Sequence, residues 1–305
     1  MISGSAKCAK DFLDLDGILI IKEQITQHFD PIFLNSDYYT LLMGILGKVL
    51  GNDVPFMGQL KDKKFLEILI RFFQECYNVE TVLNILLVTY ELAQYPDVRK
   101  ILCELGIYQQ LIKHYDLAVE DKDNEVLYKI LMNFARFTLE KSFRVHLNGY
   151  LDTLVGDAYM PFFLPFENEA SSTTQVKAAS LAVIRNVILL GDNKEARSTL
   201  VSSGYIKMLI TKCMSDPDGA LLSVGLDCLL SVTDLIKNQL MTMDDIIITT
   251  SKNFWDFKDS DKRKFLLLLV WGLLSKSFNS GSLDPVLVRQ IIGKNPEWYK
   301  EQNIP

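Results

Sequence analysis

A glycine followed by an apolar run recurs along this 305-residue chain, and its spacing limits the fold more than any other feature. Two further copies lack the glycine, and the residues aligned with it along the chain are Gly17, Lys64, Gly106, Gly149, Gly204 and Asp245. Successive steps are about 47, 42, 43, 55 and 41 residues. A period in the low forties is typical of solenoids that have two or three helices in each repeating unit.

Helical periodicity supports this interpretation. Apolar residues lie at i, i+3, i+4, i+10 and i+11 in the stretch Val82, Ile85, Leu86, Leu92 and Ala93, and similar stretches recur to residue 278 with no alternating strand pattern. Each unit can bury its apolar face only against its neighbours. The sequence therefore predicts an all-α solenoid of about six repeats, in which each glycine forms a left-handed cap between two helices.

The predicted domain spans residues 1–278, and residues 279–305 form a C-terminal cap helix and tail. The step of 55 residues contains an insertion at 160–174 with two prolines and a Ser/Thr run, which predicts a projecting loop. Phe162, Phe163 and Phe166 in this loop either fold back onto the stack or form an exposed contact point for a partner.

Composition excludes several classes of function. A formal net charge of −6 argues against nucleic acid as a partner. Five scattered cysteines without a C-x-x-C pair indicate a reduced compartment, and the longest apolar run is about half the length needed to span a bilayer. We therefore expect a cytoplasmic or nuclear protein without a membrane span.

Motifs for metal, phosphate or catalytic chemistry are incomplete. The stretch from Phe12 to Glu23 nearly fits a calcium-binding loop, but Phe stands where the first carboxylate belongs. Gly47-Lys48 lacks the rest of a phosphate-binding loop, so Gly44 and Gly47 are interpreted as close-packing residues of a helix. Three unpaired histidines provide no zinc ligand set. The sequence predicts no enzyme, no cofactor and no metal.

Two stretches, Val98 to Ile112 and Glu195 to Ile210, have a short helix with an arginine seven residues before the glycine, followed by a second helix. They resemble the armadillo (Arm) repeat family, and the resemblance extends over roughly residues 8 to 278. It implies a right-handed ARM/HEAT-type α-solenoid in which the third and longest helix of each unit lines a concave groove.

The resemblance also implies a ladder position on the third helix, where family members carry an Asn that bonds the main chain of an extended peptide. Alignment of these helices on their apolar frame puts that position on Gly47, Thr89, Asn133, Asn186, Ser231 and Gly272. Two asparagines match, and two hydroxyl residues retain some capacity for hydrogen bonding. Where importin-α-like repeats carry a tryptophan, four residues earlier, this chain has Ile85, Lys129, Ala182 and Asp227, which does not support a nuclear-import role.

Charges flank this position. Lys129, Asn133 and Arg136 share one helix face, and Asp227, Ser231 and Asp234 have the same spacing. The predicted groove is basic in its middle and acidic toward its C-terminal end, so a ligand of reverse polarity would suit it. In the alternative interpretation, the asparagines bond neighbouring helices and the charges form a solvated face.

These observations predict a non-catalytic scaffold or adaptor that binds an extended or helical segment of a partner protein. Two alternatives follow from the same resemblance. One is a chaperone co-factor of the nucleotide-exchange type, and the other is a regulatory subunit of a kinase or small GTPase.

Overall fold

The computed structural model describes residues 6–27, 30, 36–52, 60–153, 173–190, 221, 224 and 225, with side chains described for all of these except 6, 9, 148–153 and 188–190. Two compact units divide the chain, Met1–Gly191 and Asp192–Pro305. In the second unit, Leu221 is a buried core residue. The predicted boundary at residue 278 and the predicted insertion up to residue 172 lie outside the described residues.

The first unit is helical, and its described residues contain no strand. Its helices are α1 (Ala6–Asp14), α2 (Gly17–Gln27), α3 (Asp37–Leu50), α4 (Lys63–Glu75), α5 (Val79–Leu92), α6 (Pro96–Glu104), α7 (Ile107–Asp121), α8 (Asn124–Phe137), α9 (Lys141–Thr153) and α10 (Thr174–Leu190). None of these helices combines the length and apolar character that crossing a membrane requires. The all-α prediction is confirmed.

Four of the long helices form one row. Helix α3 packs on α5, α5 packs on α8, and α8 packs on α10; we call these four helices the inner row. Helices α4 and α7 pack behind it, since α4 contacts α5 and α7, and α7 contacts α8 and α9. The predicted stacking of the third helix of each unit on its counterpart in the next is present in the first unit, although α8, with 14 residues, is shorter than α7, with 15.

The caps of the inner helices define the repeat. Helices α3, α5 and α8 each have 14 residues. They begin after Ser36, Asn78 and Asp123, so the steps between them are 42 and 45 residues. The Asn78 and Asp123 side chains accept hydrogen bonds from main-chain N–H groups in the first turn, the usual role of these residues at a helix start.

The repeating glycine has more than one role. Gly106 has a φ of 82° and forms the predicted left-handed link between α6 and α7. At the first copy Asp16, with a φ of 56°, is the left-handed residue. A Cβ atom at Gly17 would lie 2.4 Å from Cζ of Phe12, so a larger residue there would displace that ring. The prediction for Gly149 was wrong, because α9 continues through it to Thr153.

The arginine of the repeat holds the end of the preceding long helix. Arg99 Nη1 donates to the Ala93 carbonyl, at the C-terminal cap of α5, over 3.0 Å. Its Nε forms an ion pair with Glu140 at 2.9 Å, and both side chains are largely buried. Arg144 repeats the first of these bonds 45 residues later, because its Nη1 donates to the Thr138 carbonyl at the cap of α8. This bond gives a physical reason for an arginine at this point of the repeat.

Helix α3 packs closely against α5 through its glycines. A Cβ at Gly44 would lie 3.2 Å from Asn84 Nδ2, and one at Gly47 would lie 2.9 Å from Cδ2 of Leu87. Both glycines lie inside a continuous helix. The interpretation of this stretch as close-packing residues, and not as a phosphate-binding loop, is confirmed.

Candidate functional site: the open face of the inner row

One side of the inner row is accessible. In α5 and α8 the half-buried or exposed positions lie at i, i+3, i+4, i+7 and i+11, which is one face of a helix. The opposite face of α8 is buried, and Phe134 there packs on Tyr115 of α7 with ring centroids 5.7 Å apart. The accessible side of the row therefore points away from α7.

We call this side the open face. Its residues are Tyr38, Leu41, Leu42 and Ile45 on α3; Glu80, Leu83, Asn84, Leu87 and Glu91 on α5; Glu125, Tyr128, Lys129, Met132 and Arg136 on α8; and Ala178, Ala182 and Arg185 on α10. Of the predicted binding residues, Lys129 and Arg136 are on it.

Asn133 points into the structure. Its side chain is 0% exposed, and Nδ2 donates to the carbonyls of Leu86 and Lys129, each at 2.9 Å. Its Oδ1 accepts from the Thr89 hydroxyl at 3.0 Å. Both amide hydrogens and the amide oxygen are therefore used between α5 and α8, and the side chain presents no surface to a partner in this conformation.

The same type of bond joins the other pairs of inner helices. Asn84 Nδ2 donates to the Thr40 carbonyl of α3 at 3.1 Å. Asn186 Nδ2 donates to the Ala135 carbonyl of α8 at 2.7 Å and to the Thr138 hydroxyl at 3.2 Å. One amide thus bonds each inner helix to the helix before it. For Asn133 and Asn186 the structure shows the alternative interpretation, hydrogen bonds between neighbouring helices.

Thr89 and Asn133 differ in their distance from the helix start: Thr89, like Gly47, lies eleven residues after its cap, whereas Asn133 lies ten residues after its own. The caps of α5 and α8 are 45 residues apart, so the α5 residue equivalent to Asn133 is Val88. Thr89 is 0% exposed, and its hydroxyl also lies 3.0 Å from the Ile85 carbonyl. Its burial gives it the same structural role as Asn133, and binding of a partner by these buried residues stays a prediction.

Two basic groups on the open face of α8 lie over tyrosines. The Arg136 guanidinium carbon is 4.7 Å from the ring centroid of Tyr90, and Nη2 donates to the Tyr90 hydroxyl at 2.9 Å. Lys129 Nζ is 5.8 Å from the ring centroid of Tyr128. Neither cation forms an ion pair with a carboxylate in the described part of the chain. The rings hold these cations in place and leave their charge uncompensated.

The tyrosine partners could not be found by the ladder alignment, because neither occupies a family position. Helical spacing on α8 would have found Tyr128, but Tyr90 is on the neighbouring helix.

The apolar part of the open face had a clearer signal in the sequence. The α3 sequence DYYTLLMGILGKVL is apolar around most of its circumference, with Asp37 and Lys48 on one side, so burial of one side leaves other apolar residues exposed.

Other predicted residues lie outside the described part of the chain. They are Asp227, Ser231 and Asp234 of the acidic end, and Phe162, Phe163 and Phe166 of the loop. Within the described residues no group of His, Cys, Asp and Glu has the geometry of a metal site. Cys103 is buried, and burial raises the pKa of its thiol to about 12, as expected of a core residue.

No protein-family model matches this sequence, and no curated protein matches it. Several solved structures are similar. A computationally designed armadillo repeat protein for modular peptide recognition has 13% identity and a TM-score of 0.63, with 83% of this chain and 98% of that chain covered. A designed armadillo repeat protein in complex with the peptide (KR)4 has 15% identity and a TM-score of 0.59, with 82% and 98% covered.

An engineered protein is similar over more of the sequence, with 15% identity, a TM-score of 0.67, and 96% of this chain and 67% of that chain covered. These similarities define the class of protein as an all-α repeat solenoid. Within that class the chain has the armadillo-like repeat fold, as its resemblance predicted.

Proposed function

We propose that this protein binds a segment of another protein along the open face and acts as a scaffold or adaptor without catalytic activity of its own. The observation that carries the proposal is the pair of uncompensated cations, Lys129 and Arg136, held over tyrosine rings on an otherwise accessible helix face. Designed proteins of the same fold recognise peptides.

The proposal divides the predicted binding residues into those that contact the partner and those that fix the shape of the open face. Lys129 and Arg136 contact the partner directly, whereas Thr89, Asn133 and Asn186 keep the inner helices in register so that the open face has a fixed shape. Asp227, Ser231 and Asp234 remain proposed contact residues of the second unit. Phe162, Phe163 and Phe166 are a second proposed contact.

The two alternatives, a chaperone co-factor and a regulatory subunit of a kinase or small GTPase, stay predictions. Each would appear as a rate change in a partner enzyme. A cytoplasmic or nuclear location is part of the same proposal.

The experiment selects ligands without assuming a partner. A phage library of random 16-residue peptides is selected on the full chain, and the enriched peptides are measured on a Lys129→Glu/Arg136→Glu variant. Because the substitutions are on the surface, circular dichroism should show unchanged helicity. A Lys64→Glu/Lys100→Glu variant changes the same charge on exposed residues of α4 and α6, away from the open face.

We expect peptides whose affinity falls by about tenfold or more on the first variant, since charge reversal replaces attraction by repulsion at both cations. The control variant should bind them normally. Enriched peptides that bind both variants and the original chain equally would contradict the proposal.

A further inference from the structure

The open face changes chemistry along the inner row. On α3 it consists of Tyr38, Leu41, Leu42 and Ile45, with the exposed Lys48 at its edge, and the exposed fractions of Tyr38 and Leu41 are 48% and 62%. Leu83 and Leu87 of α5 continue this surface and are half-buried. Contiguous exposed apolar side chains are a feature of protein contact surfaces. This end of the face is therefore suited to apolar side chains of a ligand.

The Tyr38 ring has a fixed orientation within this apolar end. Its hydroxyl donates to Gln24 Oε1 of α2 at 2.9 Å, and its ring packs at 68° on Tyr39 with centroids 5.3 Å apart. A ring held in this way contributes contact area at a low cost in conformational entropy.

The α8 end of the open face offers donors for an anion. A guanidinium has five N–H donors in a planar fork, and Arg136 uses one of them on Tyr90. The guanidinium carbon lies 4.7 Å from the centre of the Tyr90 ring, and a carboxylate can accept two parallel bonds from such a group. Lys129 adds a second positive charge about two helical turns, or about 10 Å, away.

Three acidic residues, Glu80, Glu91 and Glu125, also lie on the open face, and none of them forms an ion pair with Lys129 or Arg136 among the described residues. Glu80 and Glu125 lie in the first turns of α5 and α8, where the helix dipole favours a negative charge. Glu125 is about 16 Å along the helix axis from Arg136, although it lies one turn, about 6 Å, before Lys129. A basic peptide would place like charges against Lys129 and Arg136, which opposes binding.

The distance between the two ends sets the spacing of a ligand. Neighbouring packed helices are about 8 to 10 Å apart, and α8 is two steps from α3 along the row. The ends are therefore separated by about 16 to 20 Å, which an extended peptide spans in about five or six residues.

We infer that the partner segment is an extended peptide with a block of large apolar residues on α3 and α5 and, about five or six residues away, carboxylates on Lys129 and Arg136. This inference rests on the proposed function and specifies its ligand. It assigns to this face a preference for acidic ligands, whereas a protein of similar fold binds the basic peptide (KR)4.

The test uses matched synthetic peptides with a fluorescent label. One peptide has the sequence Leu-Phe-Leu, a five-residue Ser/Gly/Asn spacer and Asp-Glu-Asp; its twin ends in Lys-Arg-Lys. Both are also made in reversed order, because the direction of the bound chain is not assumed. Affinity is measured by fluorescence anisotropy at low ionic strength, where screening between charges is weak.

We expect the acidic peptide, in one of the two orders, to bind at least tenfold tighter than its basic twin. The Lys129→Glu/Arg136→Glu variant should reverse this preference. A Leu41→Asp variant should weaken binding of the acidic peptide, whereas Leu117→Asp, on an exposed apolar residue of α7, should not. Equal binding of the twins, tighter binding of the basic twin, or no effect of Leu41→Asp would overturn the inference.

The outcomes separate this inference from the proposed function. If library selection gives peptides that depend on Lys129 and Arg136 but the twins bind equally, only the inferred ligand chemistry is refuted. If neither the library nor the twins gives binding that depends on these residues, both proposals are refuted.

Discussion

Replacing Asn133 by Asp tests the structural role of the buried amide. The substitution keeps the size and shape of the side chain but removes Nδ2, which donates to two carbonyl oxygens at 2.9 Å. A carboxylate oxygen in its place would face the Leu86 and Lys129 carbonyls, each an acceptor, at a site that is 0% exposed.

The expected loss of stability is large for an isosteric change. Two lost hydrogen bonds contribute about 2 kcal/mol at about 1 kcal/mol each. The unpaired buried charge adds to this, so at pH 7.5 the total should be about 3 to 5 kcal/mol, the range found when one partner of a buried charge arrangement is removed. Asn133→Asp should therefore lower the free energy of unfolding by about 4 kcal/mol.

Asn78 provides a matched control for the same substitution. This residue uses its side-chain oxygen, which accepts from the Thr81 N–H at 3.1 Å in the first turn of α5. Asp is as good as Asn at this cap position, so Asn78→Asp should change stability by less than about 0.5 kcal/mol.

Both variants are measured by urea unfolding followed by circular dichroism. With a urea dependence of about 3 kcal/mol per M, Asn133→Asp should lower the midpoint by about 1 M or more. The loss should shrink at pH 5, because burial raises the pKa of the introduced carboxyl and its protonated form can donate one hydrogen bond. Equal losses for the two variants, or a loss under about 1 kcal/mol for Asn133→Asp, would refute this role of the amide.

Three further predictions concern stability. Burial lowers the pKa of His114 below its usual 6.5, so folding favours the neutral imidazole and stability should fall as pH drops below about 6.5. The urea midpoint of the original chain should therefore fall with decreasing pH, and His114→Gln should remove part of this dependence. An unchanged pH dependence in His114→Gln would contradict this role of His114. Gly106 has a φ of 82°, so Gly106→Ala should cost about 1 to 2 kcal/mol, with a smaller loss for Gly106→Asn; equal losses would argue against backbone strain. Arg99→Ala should lower the free energy of unfolding by about 3 kcal/mol, because it leaves the largely buried Glu140 without its ion pair. Arg71→Ala removes an exposed ion pair within α4 and should lower it by less than about 0.5 kcal/mol. Similar shifts in melting temperature for the two variants would contradict the argument from burial.

Part of the candidate site was predictable from helical spacing alone. Lys129 and Arg136 were placed on one face of a predicted helix, and both are on the open face. Asn133 was placed on the same face, yet residues at i, i+4 and i+7 cover an arc of about 60° around the helix, and Asn133 lies at the buried edge of that arc. The spacing of residues on one helix does not show which part of that arc a neighbouring helix covers.

The repeat period and helical class were determined by the sequence, because turn residues and apolar periodicity act locally. Pro96 begins α6 and Gly106 links it to α7, as their backbone preferences require. The same local reasoning failed at Gly149, where it predicted the end of a helix. No residue near Gly149 in the sequence shows that α9 continues through it.

The tertiary structure decided which polar side chains bond helices and which are available to a partner. Asn133 is buried because α5 lies beside α8 and its carbonyls satisfy the amide. Arg136 stays accessible because Tyr90, on the neighbouring helix, holds its guanidinium at the surface. Both depend on contacts between residues 46 or 47 positions apart in the chain, and such contacts exist only once the repeats have stacked.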